Sequence, residues 1–243
     1  MKALILYAGL GTRLRPITEN IPKPLVLVGN KPLLQYHLDQ LKSFDIHDIL
    51  INSSYLADQI KDFINIYQQH NITSKINLTF EHELLGSAGT LKANWDFFKE
   101  EDDFLIIYGD NLTNINYKQF IERHRSKSNL CTIACYQEPE IESKGMVVFD
   151  AEDRIQRFVE KPKTDQVVSH YANAGIYVCN KNIIKYLNQF DKIPLDFGYD
   201  IFPKILIDQV DILGVYLMKE VLLDVGNLKN YQLAQDYVKK FNF

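Results

Sequence analysis

The side chains best suited to chemistry crowd the first 24 residues. Gly9 and Gly11 stand in Ala8-Gly9-Leu10-Gly11-Thr12-Arg13-Leu14-Arg15-Pro16, and Pro22-Lys23-Pro24 follows. Glycines leave backbone amides uncovered, so several N–H groups can converge on an anion. Thr12 adds a hydroxyl, and Arg13, Arg15 and Lys23 add positive charge, so the group reads as a triphosphate cradle. The glycines alone are equally consistent with a tight turn. The loop lacks the third glycine of a dinucleotide fingerprint and the Gly-Lys-Ser/Thr of a P-loop. Two aspartates, Asp110 and Asp224, each end an apolar segment. Singly, each reads as a turn or cap residue. As a pair near a triphosphate they suit Mg²⁺, which takes one or two carboxylates plus phosphate oxygens and water.

Regular elements must position these groups. An apolar run at 2–6 predicts a buried strand that ends at the glycine loop. A helix over 31–44 opens with proline. A strand over 46–51, a helix over 55–67 and a strand over 76–80 follow. Ser87 is expected to N-cap a helix over 88–98, before a strand at 104–108. This alternation predicts an α/β fold: a doubly wound, mostly parallel, Rossmann-like sheet with helices on both faces. Ligands then sit beyond the C-terminal strand ends, which puts the glycine loop and Asp110 on one edge.

From about residue 130 strands become more frequent, over 130–136, 145–149, 155–160 and 171–178. Asp150-Ala151-Glu152-Asp153 reads as a hairpin turn, and a small antiparallel subregion is expected here. Helices over 183–187 and 201–207, strands over 211–217 and 221–223, and a helix over 228–240 complete the pattern. With no linker, repeat or low-complexity stretch, 1–243 reads as one domain.

The chain has 46% hydrophobic and 24% charged residues and a net charge of −4. That balance supports a sizeable core and argues against general nucleic-acid binding. Cys131 and Cys135, four apart in one strand, share a face, most simply a core face; no second Cys or His pair completes a metal site. Cys179 is the third cysteine. No signal peptide or apolar run of membrane-spanning length is apparent, so a reducing, cytoplasmic setting and no membrane partner are expected.

The string Gly9-Leu10-Gly11-Thr12-Arg13-Leu14-Arg15-Pro16-Ile17-Thr18, closed by Pro22-Lys23-Pro24, resembles the signature Gly-x-Gly-Thr-Arg-Leu-x-Pro-x-Thr…Pro-Lys-Pro of the sugar-1-phosphate nucleotidyltransferases. Further segments carry the resemblance in order, to about Tyr231. Leu84-Leu85-Gly86-Ser87-Ala88-Gly89 resembles the segment that packs on the nucleobase. Tyr108-Gly109-Asp110 and Asp224-Val225-Gly226 match the positions of the metal ligands. Val159-Glu160-Lys161-Pro162 resembles the sugar-phosphate motif, and Asn173-Ala174-Gly175-Ile176-Tyr177 the sugar-hydroxyl strand. By pattern alone Glu160 would be the polar face of a strand. Tyr7 departs from the family, which carries a small residue there; it must turn into the core or lie over the nucleotide. That leaves the contacts of Leu6 and Tyr7 open. Leu222 and Asn227 replace an aromatic residue and a threonine.

The resemblance implies the nucleotide-diphospho-sugar transferase fold and the reaction NTP + hexose-1-phosphate ⇌ NDP-hexose + pyrophosphate, with Mg²⁺ on Asp110 and Asp224. Arg13 and Lys23 would be catalytic, on the departing β,γ-phosphates and the α-phosphate. Leu6, Ala8, Gly9, Gly11, Thr12, Glu81, Gly86, Ser87 and Asp110 would join them in binding the nucleotide. Gly145, Glu160, Lys161 and Asn173 would bind the sugar phosphate. Residues 1–112 would then serve mainly the nucleotide, and 113–243 the sugar phosphate and second metal ligand. Glu81 stands at a base-reading position, and a carboxylate, which only accepts hydrogen bonds, suits guanine. With Phe197-Gly198-Tyr199-Asp200-Ile201-Phe202-Pro203, this favours GTP and a mannose-1-phosphate-like acceptor. Thymidylyl and uridylyl transfer to glucose or N-acetylamino-sugar or muramate phosphates, heptose guanylyl transfer, and a catalytically silent sensor subunit are the alternatives. Monomer and homodimer are both open.

Overall fold

The computed structural model describes residues 1–241 and divides into two compact units interleaved along the chain. The first comprises Met1–Leu84, Ile107–Ile115 and the segment from Glu220 onward; the second comprises Leu85–Ile106 and Asn116–Lys219.

In the first unit the strands Lys2–Leu6, Asp48–Ser53 and Lys75–Phe80 lie side by side in that order, all parallel. Leu4, Ile5, Leu50 and Ile51 are buried, as continuous apolar runs in parallel strands require. Parallel neighbours need crossovers, and helices Leu33–Ser43 and Ala57–His70 supply them. Leu33, Leu34, Leu38 and Leu41 bury one face of the first helix, each such side chain contributing about 1.5–3 kcal/mol. Lys31–Pro32, expected within that helix, instead pairs with Leu27–Val28 in a short antiparallel ladder. Pro32 takes an extended backbone conformation (ψ 142°) as the residue capping the helix, which therefore begins at Leu33. Leu222–Asp224 pairs antiparallel with Asn111–Thr113. The helix Leu228–Phe241 is tied back by Gln235, which accepts from the Gly29 N–H at 2.8 Å and donates to Leu27 O at 2.8 Å.

The second unit carries the expected antiparallel subregion. Tyr171–Asn180 pairs antiparallel with both Cys131–Gln137 and Gly145–Phe149, and Gly145–Phe149 with Ile155–Glu160. Leu213–Leu217 adds a parallel edge to Cys131–Gln137. The Asp150–Asp153 turn forms where expected, with Asp150 Oδ1 accepting from the N–H groups of Glu152 and Arg154. Cys131 and Cys135 are buried free thiols, and Cys131 Sγ lies 3.3 Å from Cys179 Sγ across the ladder. Burial pushes the Cys131 and Cys135 thiols up, away from thiolate reactivity.

The expected helix over 88–98 is two helices, Ser87–Ala93 and Trp95–Phe98, interrupted at Asn94. Its cap is Gly86, not Ser87, because the Ser87 hydroxyl donates to Asp196 Oδ2 at 2.7 Å. No described helix is long and apolar enough to cross a membrane.

Candidate active site

In the first unit the strand Lys2–Leu6 delivers the chain into the glycine loop. Gly9 N–H donates to Tyr7 O at 2.7 Å, and Leu14 N–H to Gly11 O at 2.9 Å. Gly11 sits at φ +63°, and a Cβ there would lie 3.2 Å from Thr18 Cβ. The positive φ and this close approach both favour glycine. The Thr18 hydroxyl donates to Gly11 O at 2.7 Å and pins the loop. Thr12, Arg13 and Arg15 remain exposed on the short turn Thr12–Leu14. A second such turn, Lys23–Leu25, aims Lys23 inward, and its Nζ reaches Asp110 Oδ2 at 2.9 Å.

Asp110 is held from several sides. Burial alone would raise its pKa, but the Lys23 ammonium, its hydrogen bond and the Arg13 guanidinium more than offset this, holding the carboxyl below its ordinary value. Val225 N–H donates to Asp110 O at 2.7 Å, and Asn111 pairs with Asp224 in the ladder. The two aspartates therefore stand on adjoining backbone. Asp224 Oδ1 accepts from Gly226 N–H at 2.7 Å. A Cβ on Gly226 would lie 2.5 Å from Asp224 Oδ1 and 3.3 Å from Arg13 Nη2. Arg13, Lys23, Asp110 and Asp224 thus form one cluster of charges.

Tyr7 turns into the core. Only 6% of it is exposed, and its ring lies under Gly109, where an added Cβ would be 2.4 Å from Tyr7 Cζ. Its edge meets His37, whose Nε2 lies 3.1 Å from Gly109 O. A carbonyl only accepts, so His37 Nε2 carries the hydrogen. Burial lowers the His37 pKa to about 4 and keeps it neutral at pH 7. Neither Tyr7 nor His37 carried a sequence signal for supporting the Gly109-Asp110 turn. Glu81 is buried, its Oε1 accepting from Asn52 Nδ2 at 2.8 Å.

In the second unit Gly86 adopts φ +82°, and a Cβ would lie 2.4 Å from Leu195 O. That same carbonyl accepts from the N–H groups of Ala88 and Gly89, both at 3.0 Å. These two donors at the helix start are thus engaged within the unit. Ser87 Oγ also accepts from Phe197 N–H at 3.0 Å.

Gly145, Glu160 and Asn173 converge. Glu160 pairs with Gly145 in the ladder. A Cβ on Gly145 would lie 2.7 Å from Glu160 Oε2 and 3.2 Å from Asn173 Cβ. A Cβ on Gly198 would also lie 2.7 Å from Glu160 Oε2. The carboxylate is clasped between two glycines. Burial raises the Glu160 pKa, and the Asp196 charge adds to this against Lys161 and Lys144. Asn173 Oδ1 accepts from Gly175 N–H at 2.8 Å, and its Nδ2 donates to Tyr177 Oη at 2.8 Å. Lys161, at φ +49°, follows Glu160 and is exposed. Asp196 was not foreseen as a member of this group; its Oδ1 accepts from the N–H groups of Gly198 and Tyr199. The Asp-x-Gly spacing of Asp196 and Gly198 was the available signal.

A family model described as nucleotidyl transferase matches residues 2–240. The chain belongs to that family. The expected resemblance and the nucleotide-diphospho-sugar transferase fold are thereby borne out. Among relatives, a UTP–glucose-1-phosphate uridylyltransferase of Synechocystis sp. is 33% identical over 96% of this chain and 62% of its own length. A probable mannose-1-phosphate guanylyltransferase 1 of Oryza sativa subsp. japonica is 32% identical over 95% of this chain and 63% of its own. The chain thus spans somewhat under two thirds of these relatives. The crystal structure of HddC from Yersinia pseudotuberculosis complexed with GMP-PN shares 27% identity and a TM-score of 0.77, covering 97% of this chain and 98% of that one. A putative glucose-1-phosphate thymidylyltransferase from Bacillus anthracis, 24% identical, matches the fold at a TM-score of 0.86 over 100% of this chain and 97% of that one.

Proposed function

We propose that this protein transfers a nucleotidyl group from an NTP, GTP by preference, to a hexose-1-phosphate of mannose-1-phosphate type, releasing pyrophosphate. The observation that carries the reading is the cluster of Arg13, Lys23, Asp110 and Asp224 beside the glycine loop. Family membership supports the reaction class, and a carboxylate at Glu81 supports guanine. A 27% identical relative whose structure holds GMP-PN points the same way.

The sugar-phosphate oxygen attacks the α-phosphorus and pyrophosphate leaves. A phosphomonoester is largely dianionic at pH 7, its second pKa being about 6, so no protein base is needed. Catalysis is then positioning and charge neutralisation. The loop amides around Gly9 and Gly11 and the Thr12 hydroxyl hold the phosphates, and Leu6 and Ala8 line the approach to them. Arg13 balances charge on the departing β,γ-phosphates. Lys23, which bonds Asp110, neutralises charge at the α-phosphate.

Asp110 and Asp224 fit a divalent cation. They are partly exposed carboxylates on adjoining backbone, and Asp110 is kept ionised by Lys23. Mg²⁺ bound there would supply charge neutralisation at phosphate oxygens. Gly86 and Ser87 belong to the base side. Lys161 orients the sugar phosphate, while Glu160, Asn173 and the Gly145 N–H take sugar hydroxyls.

A matrix of four NTPs against mannose-, glucose-, N-acetylglucosamine- and heptose-1-phosphates, read by pyrophosphate release with Mg²⁺, tests the assignment. The highest kcat/KM is expected for GTP with mannose-1-phosphate. Preference for UTP or dTTP would overturn the guanine assignment and leave the reaction class standing.

A further inference from the structure

The C-terminal ends of the three parallel strands in the first unit are joined by one buried hydrogen-bonded chain. Tyr7 N–H donates to Asn52 Oδ1 at 2.6 Å, and Asn52 Nδ2 donates to Glu81 Oε1 at 2.8 Å. Asn52 is 2% exposed and lies opposite Leu6 in the ladder, one residue before the Ser53–Phe80 pair. A main-chain N–H can only donate, so it fixes which end of the Asn52 amide faces the first strand. The NH₂ end must then face Glu81. A carboxamide meets both demands, an acceptor on one side and a donor on the other. Aspartate would set two carboxylates side by side, and alanine would remove both hydrogen bonds in a buried place, where their loss is costly.

We infer that Asn52 is the positioning residue for base discrimination: it clamps Glu81 Oε1 and thereby fixes how the Glu81 carboxylate meets the N1–H and N2 amine of guanine. The inference rests on the base-reading role proposed for Glu81. It also makes the phosphate loop part of base selection, because Tyr7, which anchors Asn52, immediately precedes Ala8 and Gly9. A carboxylate has about four lone-pair sites, and the Asn52 amide occupies one of them on Oε1. A free carboxylate samples rotamers that donors in other bases, such as the adenine amine, could exploit; a clamped one offers a single acceptor geometry. Specificity of this kind is a difference between affinities, and it weakens when an acceptor can re-aim.

Equilibrium titration of the whole protein with GTP, ITP and UTP in Mg²⁺ tests this. ITP keeps the guanine N1–H and lacks the N2 amine, so the GTP/ITP ratio reads the amine contact alone. The wild type should bind GTP about tenfold or more tighter than ITP or UTP. Asn52→Ala should bring both ratios within about threefold of unity while UTP affinity, set by the phosphates, changes by less than about threefold. Asn52→Ser, which cannot reach both partners, should act likewise and serves if the alanine variant does not fold. Unchanged ratios in a folded Asn52 variant overturn the inference and leave the Glu81 assignment intact. A wild type without GTP preference overturns the Glu81 assignment and the inference with it. A uniform loss for all three nucleotides shows a merely structural role and also overturns the inference.

Discussion

Arg13 carries the sharpest expectation of any single residue. Its guanidinium reaches the Asp224–Gly226 turn and bears electrostatically on Asp110. Removing a preorganised charge that stabilises a departing group typically costs a hundredfold or more in turnover. Arg13→Ala should therefore lower kcat about a hundredfold with little change in melting temperature, since the side chain is exposed; stopped-flow pyrophosphate detection measures this. Glu160 gives a pH signature. Burial first, and then the Asp196 charge, raise its pKa above the ordinary carboxylate value. The acceptor form is thus lost at a higher pH than usual as acid is added. KM for the sugar phosphate should rise on that limb, and Glu160→Gln should lack the limb. At this scale the sequence was informative wherever a side chain's role depends on its neighbours in the chain. Arg13, Lys23, Asp110 and Asp224 were all named from motifs, and they meet. The clasp of Gly198 and Asp196 around Glu160 leaves no such local signal, because it joins residues nearly forty apart through a Cβ that is absent.

Strands and turns hold these groups by contacts that tolerate little change. The Gly109-Asp110 turn lies on the Tyr7 ring, and a methyl group at Gly109 would sit 2.4 Å from Tyr7 Cζ. Gly109→Ala should destabilise by about 1–3 kcal/mol, the usual cost of overpacking, measurable by urea unfolding. Tyr7→Ala/Gly109→Ala should recover part of that loss relative to the sum of the single variants. His37 predicts the acid behaviour of the same turn. Its folded pKa of about 4 lies below the unfolded value, about 6.5. Between these values the unfolded chain binds the extra proton. The stability is therefore complete above about pH 6.5 and falls as pH drops toward 4, by about 3 kcal/mol in all. His37→Gln should flatten this part of the stability–pH curve, and an unchanged curve would contradict the assignment. Alternating strands and helices were legible from hydrophobic period. Helix boundaries were less so: Pro32 paired in a strand, and Asn94 split a helix, because tertiary contacts outweighed local preference.

Across the whole molecule, the parallel pairing of the three strands followed from the alternation, whereas their order and the interleaving of the two compact units did not. Leu222–Asp224 returns to pair with Asn111–Thr113, and Gln235 reaches Leu27 and Gly29 from more than 200 positions away. Such pairings leave no local period, and only the resemblance around Asp224 hinted at the return. That return brings Asp224 next to Asp110, so the pair proposed to hold a metal depends on the later part of the chain as much as on the first. The four charged groups are proposed to activate an NTP for attack by a sugar phosphate. ³¹P NMR of the protein with GTP, mannose-1-phosphate and Mg²⁺ follows that reaction itself. GDP-mannose and pyrophosphate should appear in equal amounts, with no pyrophosphate when the sugar phosphate is omitted. Orthophosphate release, or tight GTP binding with no turnover on any sugar phosphate, would contradict that role.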